Sequence, residues 1–189
     1  MPLPLAHSAA GYVVKDMINE NQWRNLSPIR QYFLITITIT VANLADFDFL
    51  PGLLIQQPNS FHHGPSHSIV AAIVFAGALW GMTHRAFKEI SPKRYLLILS
   101  IAALSHPFLD FISSDTSYPY GIPLLWPFLP EYMISPYLFF GEIHKSGLSN
   151  KHFFLSLWHV TNLKEIFVEI LFAVMLISGV KYYNKLSIQ

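Results

Sequence analysis

The most constraining feature of the chain is a set of four apolar runs, each long enough to cross a lipid bilayer. They span Tyr32 to Leu50, Ser68 to Phe87, Tyr95 to Ile112 and Ile166 to Tyr183. About 20 apolar residues as a helix cover a hydrocarbon core of roughly 30 Å. The run "FLITITITV" is β-branched enough to make a strand in water. In lipid an isolated strand leaves its backbone groups unsatisfied, so helix is expected throughout. A fifth, shorter segment, Leu3 to Ile18, is expected to pack as a hairpin partner of the next helix. The chain is 52% hydrophobic and 12% charged, against roughly 25% charged in soluble domains. Both figures favour one integral membrane domain over residues 1–189. The N-terminus lacks the positive region of a cleavable signal peptide. The formal net charge of +1 offers no basic surface for nucleic acid. There are no cysteines, which removes disulfides and thiolate metal sites and leaves nitrogen and oxygen as ligand atoms.

Lys and Arg assign sides to the connections. Lys15, Arg24 and Arg30 mark one inner connection, and Arg85, Lys88, Lys93 and Arg94 mark another. Residues 51–67 carry neither, residues 112–163 carry Lys145 and Lys151, and the tail holds Lys181 and Lys185. The expectation is an all-α, multi-pass bundle with five crossings, the N-terminus outside and the C-terminus inside. Residues 112–163, rich in proline and aromatic residues, are expected to form a cap within that domain, re-entrant at "GIPLLWPFLP".

On this topology four segments deliver ionisable groups to the outer face. They are His7, then Asp46 and Asp48, then His62, His63 and His67 in "NSFHHGPSHSIV", then His106 and Asp110 in "SHPFLD". Ionisable groups at membrane depth are expensive and mark function by default. His106 and Asp110 are four apart, so one helical face presents both. Asp46 and Asp48 diverge on an ideal helix unless Pro51 and Gly52 end it. Gly64 and Pro65 turn the chain between His62 and His67, with Ser66 as a helix cap. Mixed His and Asp donors suit Zn²⁺, and also Mn²⁺ or Fe²⁺. Their number allows one to three ions sharing a water and polarising a phosphoryl oxygen. Each residue taken singly has a plainer role. His84 and His159 are expected as helix–helix hydrogen bonders, His144 and His152 as solvated or outer groups, and Glu169 as a bundle-facing acid.

In their order and wording these blocks resemble the YdjM-type family of inner-membrane metal-dependent hydrolases. The resemblance rests on "LAHSAAG", "LADFDFLPG", "HHGPSHS" and "LSHPFLDF" followed by "YGIPLLWPF", over roughly residues 5–128. It implies a bacterial inner-membrane location and His7, Asp46, Asp48, His62, His67, His106 and Asp110 as metal ligands. Two departures stand out: His63 where the family usually has Arg, and a longer "SSDTSYP" stretch that introduces Asp115. A remoter similarity to zinc-dependent phospholipase C implies phosphoester hydrolysis at the membrane surface, on a lipid-linked or small substrate. In that reading His63 or Asp115 acts as general base or substrate contact, and Trp126 and Tyr120 shape the mouth of the site. Two other classes fit the residues: a membrane adaptor with a structural metal, and a metal transporter, which the apolar inner halves of the helices disfavour.

Overall fold

The computed structural model describes residues 2–116 and 118–186; position 117 lies inside "SSDTSYP". Eight α-helices form among the described residues: α1 Pro4–Val13, α2 Glu20–Arg24, α3 Pro28–Asn43, α4 Phe49–Leu54, α5 Ile69–Thr83, α6 Pro92–Phe111, α7 Asn150–Ser156 and α8 Val160–Leu186. Among the described residues no strand forms, and two isolated bridges, Ser113 to Phe140 and Ile122 to Met133, tie the cap together. The starts are written locally. Proline occupies the first turn of α1, α3 and α6, where its missing N–H would have no partner in any case. The cap of α5 is Ser68, whose Oγ accepts the Ala71 N–H at 3.1 Å. Ser66, expected in that role, donates instead to Asp48 Oδ2 at 2.9 Å.

α1 packs against α3, α6 and α8, while α6 also packs against α3 and α5. The α1–α3 approach is close enough to require glycine at position 11. A Cβ there would lie 2.6 Å from the Thr38 carbonyl oxygen and 2.9 Å from Ala42 Cβ. Glu169 in α8 fixes the other end of α1. It is buried and accepts the backbone N–H groups of Leu3 and, at 3.0 Å, Ala6. Those N–H groups at a helix start have no partner within the helix. The expected bundle-facing acid therefore anchors the helix that carries His7.

Among the described residues two helical stretches are long and apolar enough to cross a membrane, Pro28–Leu54 and Ile69–Ala86. The five expected crossings are not reached on that measure. The 10 residues of α1 extend about 15 Å at 1.5 Å per residue, half of the hydrocarbon core. α6 has 20 residues and α8 has 27, which is length enough. But α6 opens on Lys93 and Arg94 and holds His106, Pro107 and Asp110, while α8 carries Lys164, Glu165, Glu169, Lys181 and Lys185.

The cap is irregular apart from α7. Gly121, at φ +89°, lets the chain pass beside the Met133 carbonyl, where a Cβ would come within 2.2 Å. The "GIPLLWPFLP" segment seats on the start of α5, the Leu124 carbonyl accepting the Ile69 N–H at 3.0 Å. Asn162 and Glu165 of α8 hold the cap's far end. Asn162 bonds both the N–H and the carbonyl of His144 (2.7 and 2.9 Å), and Glu165 accepts the Gly141 N–H at 2.8 Å.

Candidate metal centre

A change of helix type brings Asp46 and Asp48 inward. α3 ends at Asn43, whose side-chain amide donates to the Ile39 carbonyl at 2.8 Å, and a 3₁₀ turn runs over Leu44–Asp48. Helix ends leave carbonyls available for other donors. The Ala42 carbonyl accepts from His106 Nδ1 at 2.8 Å. That bond puts the His106 proton on Nδ1 and leaves Nε2 as a lone-pair donor, the arrangement common behind metal-ligating histidines.

Nε2 of His106 points into a buried cluster. It lies 3.2 Å from Asp110 Oδ2 and 3.6 Å from Asp46 Oδ1, while His67 Nε2 lies 3.5 Å from each of those same atoms. These separations exceed the usual N–H···O range of 2.7–3.2 Å or sit at its limit. They match the spacing of about 3.3 Å between neighbouring ligands around a tetrahedral zinc with bonds of about 2.0–2.1 Å. The other Asp110 oxygen, Oδ1, is 3.5 Å from Nε2 of His7, whose ring stacks on His106 at 4.0 Å. His7, His67, His106 and Asp110 are all buried. Seven side-chain atoms of five residues have no hydrogen-bond partner among the described residues: both nitrogens of His7, Asp46 Oδ1, His67 Nε2, His106 Nε2 and both oxygens of Asp110. Buried polar atoms are nearly always satisfied. One or more cations among His7 Nε2, Asp46, His67, His106 and Asp110 would satisfy all of these atoms but His7 Nδ1, so the donors fit a divalent metal.

Asp48 sits differently. Oδ1 accepts from His62 Nδ1 at 2.9 Å, while Oδ2 takes the Ser66 hydroxyl and lies 3.2 Å from His67 Nδ1. It faces the back of His67 and holds that ring with Nε2 toward Asp46 and Asp110. Burial disfavours the His67 imidazolium, yet Asp46, Asp48 and Asp110 together push the group up to about 10. So much carboxylate in a closed space attracts a cation.

His62, His63 and His67 bring ring nitrogens within 4.8 Å of one another. His62 stacks on Phe49 at 3.9 Å and lies 4.4 Å from the His63 ring. Burial, with Lys145 nearby, pushes His62 down to about 3. His63 has a left-handed backbone, φ +62°. Its Nδ1 is 3.0 Å from Asp115 Oδ2, which also accepts the Gly121 N–H at 3.1 Å. Burial lowers the His63 imidazole as well.

Three cavities share Lys145 in their walls. An apolar cleft of about 270 Å³, lined by Leu3, Phe47, Phe49, Ile143, Phe153 and Leu157 among others, also includes Asp46 and Lys145 in its wall. A polar cavity of about 360 Å³ includes Thr116, Glu142, His144 and Lys145, and one of about 80 Å³ includes His62, His63, Asp115, Tyr118 and Lys145. Tyr118 rather than Tyr120 lines the small one, and Trp126 lines none of the three. Lys145 is the residue that sequence reasoning missed; the available signal was a lysine between His144 and Ser146 in a cap poor in cations. Burial lowers its ammonium pKa. The remaining histidines lie outside the cluster. His84 bonds the Trp80 carbonyl in its own helix, His159 bonds Thr161 at the start of α8, His152 bonds Ser149, and His144 lies 4.5 Å from the His159 ring.

Helices without strands, apolar spans and a buried His–Asp cluster define a helical membrane protein with a candidate metal centre. The family profile described as YdjM inner membrane protein matches residues 3–188, and the chain belongs to that family. A search of curated proteins and of solved structures gave no match.

Proposed function

We propose that the protein is a metal-dependent hydrolase of the inner membrane, acting on an ester or phosphoester. The clustering of partnerless, buried ligand atoms in two groups that share His106, one with His7 and Asp110 and one with Asp46 and His67, supports this reading. His67, His106, Asp46 and Asp110 would hold one ion, with His7 on the second Asp110 oxygen. Asp48 is a positioning residue behind His67. Zn²⁺ suits the donors best, and Mn²⁺ or Fe²⁺ would also be accepted. When bound, such an ion acidifies water and polarises the oxygen of the scissile group. Access supports catalysis over a purely structural ion, because Asp46 belongs both to the cluster and to the wall of the apolar cleft. Catalytic sites keep a position open to substrate, whereas structural ones are closed.

The chain's own proton carrier in this reading is His63. With Asp115 accepting from Nδ1–H, the neutral His63 ring carries its basic lone pair on Nε2. It takes a proton from the attacking water, whose oxygen bonds to phosphorus or to the acyl carbon, and returns a proton to the leaving oxygen as that oxygen's bond to the same phosphorus or carbon breaks. The test is a panel of phosphoesters and carboxyl esters offered to metal-supplied protein. Turnover that needs the metal and falls about 10²–10⁴-fold in His63→Gln is expected, in line with the loss of a general base. A panel left intact by metal-loaded protein contradicts the reading.

We also propose that α6 and α8 cross the membrane beside α3 and α5, with the loop over 55–68 on the outer side. The Lys and Arg distribution supports that sidedness. A cysteine at exposed Ser60 should react with an impermeant reagent in cells whose outer membrane has been opened. Labelling only after the inner membrane is lysed reverses the topology.

A further inference from the structure

We propose that the substrate is an anionic amphiphile drawn from the bilayer, its hydrocarbon chain in the apolar cleft and its anionic head held by Lys145. This rests on the hydrolase reading and narrows it to a substrate class. The cleft wall is almost wholly hydrocarbon, with Leu3, Phe47, Phe49, Ile143, Phe153 and Leu157, and it includes two ionic side chains, Asp46 and Lys145. A small soluble ester has no use for such a wall, because burying apolar surface requires an apolar partner. A chain with a charged end matches both parts of the cleft. Its size, about 270 Å³, is close to the lower end of small-ligand pockets, ~300–1,000 Å³.

Lys145 is placed to receive the head. It is common to the apolar cleft, the polar cavity and the small cavity beside His63 and Asp115. An anion on its ammonium would therefore border both the cavity that includes Asp46 and the one that includes His63. Its amine sits 5.6 Å from the Phe49 ring centroid. Its backbone is fixed through His144, which Asn162 grips on both sides. The polar cavity, with Thr116, His144 and Thr161, offers hydrogen bonds to a headgroup extending past the anion.

Dodecylphosphonate and methylphosphonate separate the chain from the head, and neither has an ester bond to cleave. Both are titrated calorimetrically into zinc-supplied protein in phosphatidylcholine nanodiscs, with empty nanodiscs subtracted. Dodecylphosphonate should bind at least about tenfold more tightly than methylphosphonate, equal to ~1.4 kcal/mol. Leu157→Trp, which fills the cleft, should remove that advantage and leave methylphosphonate binding unchanged. Lys145→Met should weaken both ligands about tenfold or more, as expected for a lost charged hydrogen bond, and Lys145→Arg should retain most of the binding. Melting curves qualify each variant as folded, and Ile143→Trp is a second filling variant. Equal binding of the two phosphonates points to a small soluble substrate and overturns the proposal. So does a Lys145→Met protein that binds both as wild type does. Since nothing is cleaved, these outcomes are independent of turnover. A failed ester panel counts against the hydrolase reading, and a failed binding pattern counts against the amphiphile.

Discussion

Asp110→Asn is expected to abolish both metal occupancy and turnover, with at least about a 10³-fold loss of rate. The change keeps the size of the side chain and removes the charge whose two oxygens face His67, His106 and His7. Asp48→Asn makes the contrast. Asp48 reaches the cluster through the back of His67, and losing such a supporting partner costs about 10–100-fold in affinity or activity. The two aspartates should differ by at least tenfold, measured as metal per chain and as rate under identical metal supply. Equal losses would make Asp48 a direct ligand. An Asp110→Asn protein with wild-type rate would remove Asp110 from the site. His84→Gln serves as control, because His84 bonds within its own helix, away from the cluster.

Chelation should produce the second large effect. Stripping the ion leaves buried carboxylates and imidazoles facing one another without partners. An ion at a thousand times its dissociation constant contributes about 4 kcal/mol to stability. At this chain length each kcal/mol moves the melting temperature by roughly 2–4 °C. Treatment with EDTA should therefore lower the melting temperature by on the order of 10 °C, and added Zn²⁺ should restore it. Unchanged melting after complete chelation would mean that the fold satisfies the cluster without a cation.

Much of this was legible in the sequence, because it depends on local pattern. The apolar run Tyr95 to Ile112 gave a helix close to the observed α6, whereas the run Tyr32 to Leu50 continues past the end of α3 at Asn43. The i, i+4 spacing of His106 and Asp110 placed both groups on one face, and the structure brings them to 3.2 Å. The sequence marks His7, Asp46, Asp48, His62, His67, His106 and Asp110 as one ligand set; ligand atoms of His7, His106 and Asp110, and of Asp46, His67 and His106, lie within 4.8 Å of one another, while Asp48 and His62 bond each other behind His67. What could not be read depends on contacts between distant segments. The turn at Asn43 is set by an amide bonded within the helix and by His106 arriving from α6, and it decides where Asp46 and Asp48 point. The different positions of Asp46 and Asp48 depend on His62 and Ser66, from a loop that folds over them. Of the five expected crossings, the stretches Pro28–Leu54 and Ile69–Ala86 are long and apolar enough among the described residues; α1 stops at Val13, and α6 and α8 carry ionisable residues within their length. Lys145 acquires its position from Asn162, seventeen residues later in sequence, through the neighbouring His144. No periodicity encodes that bond.

The central claim is that the buried His–Asp cluster holds a divalent cation, and elemental analysis of protein purified without chelator tests it most directly. At least one transition-metal ion per chain is expected, zinc before manganese or iron, lost together in His67→Ala and His106→Ala. Protein that is folded, supplied with Zn²⁺, Mn²⁺ and Fe²⁺ in turn, and still free of bound metal would contradict it.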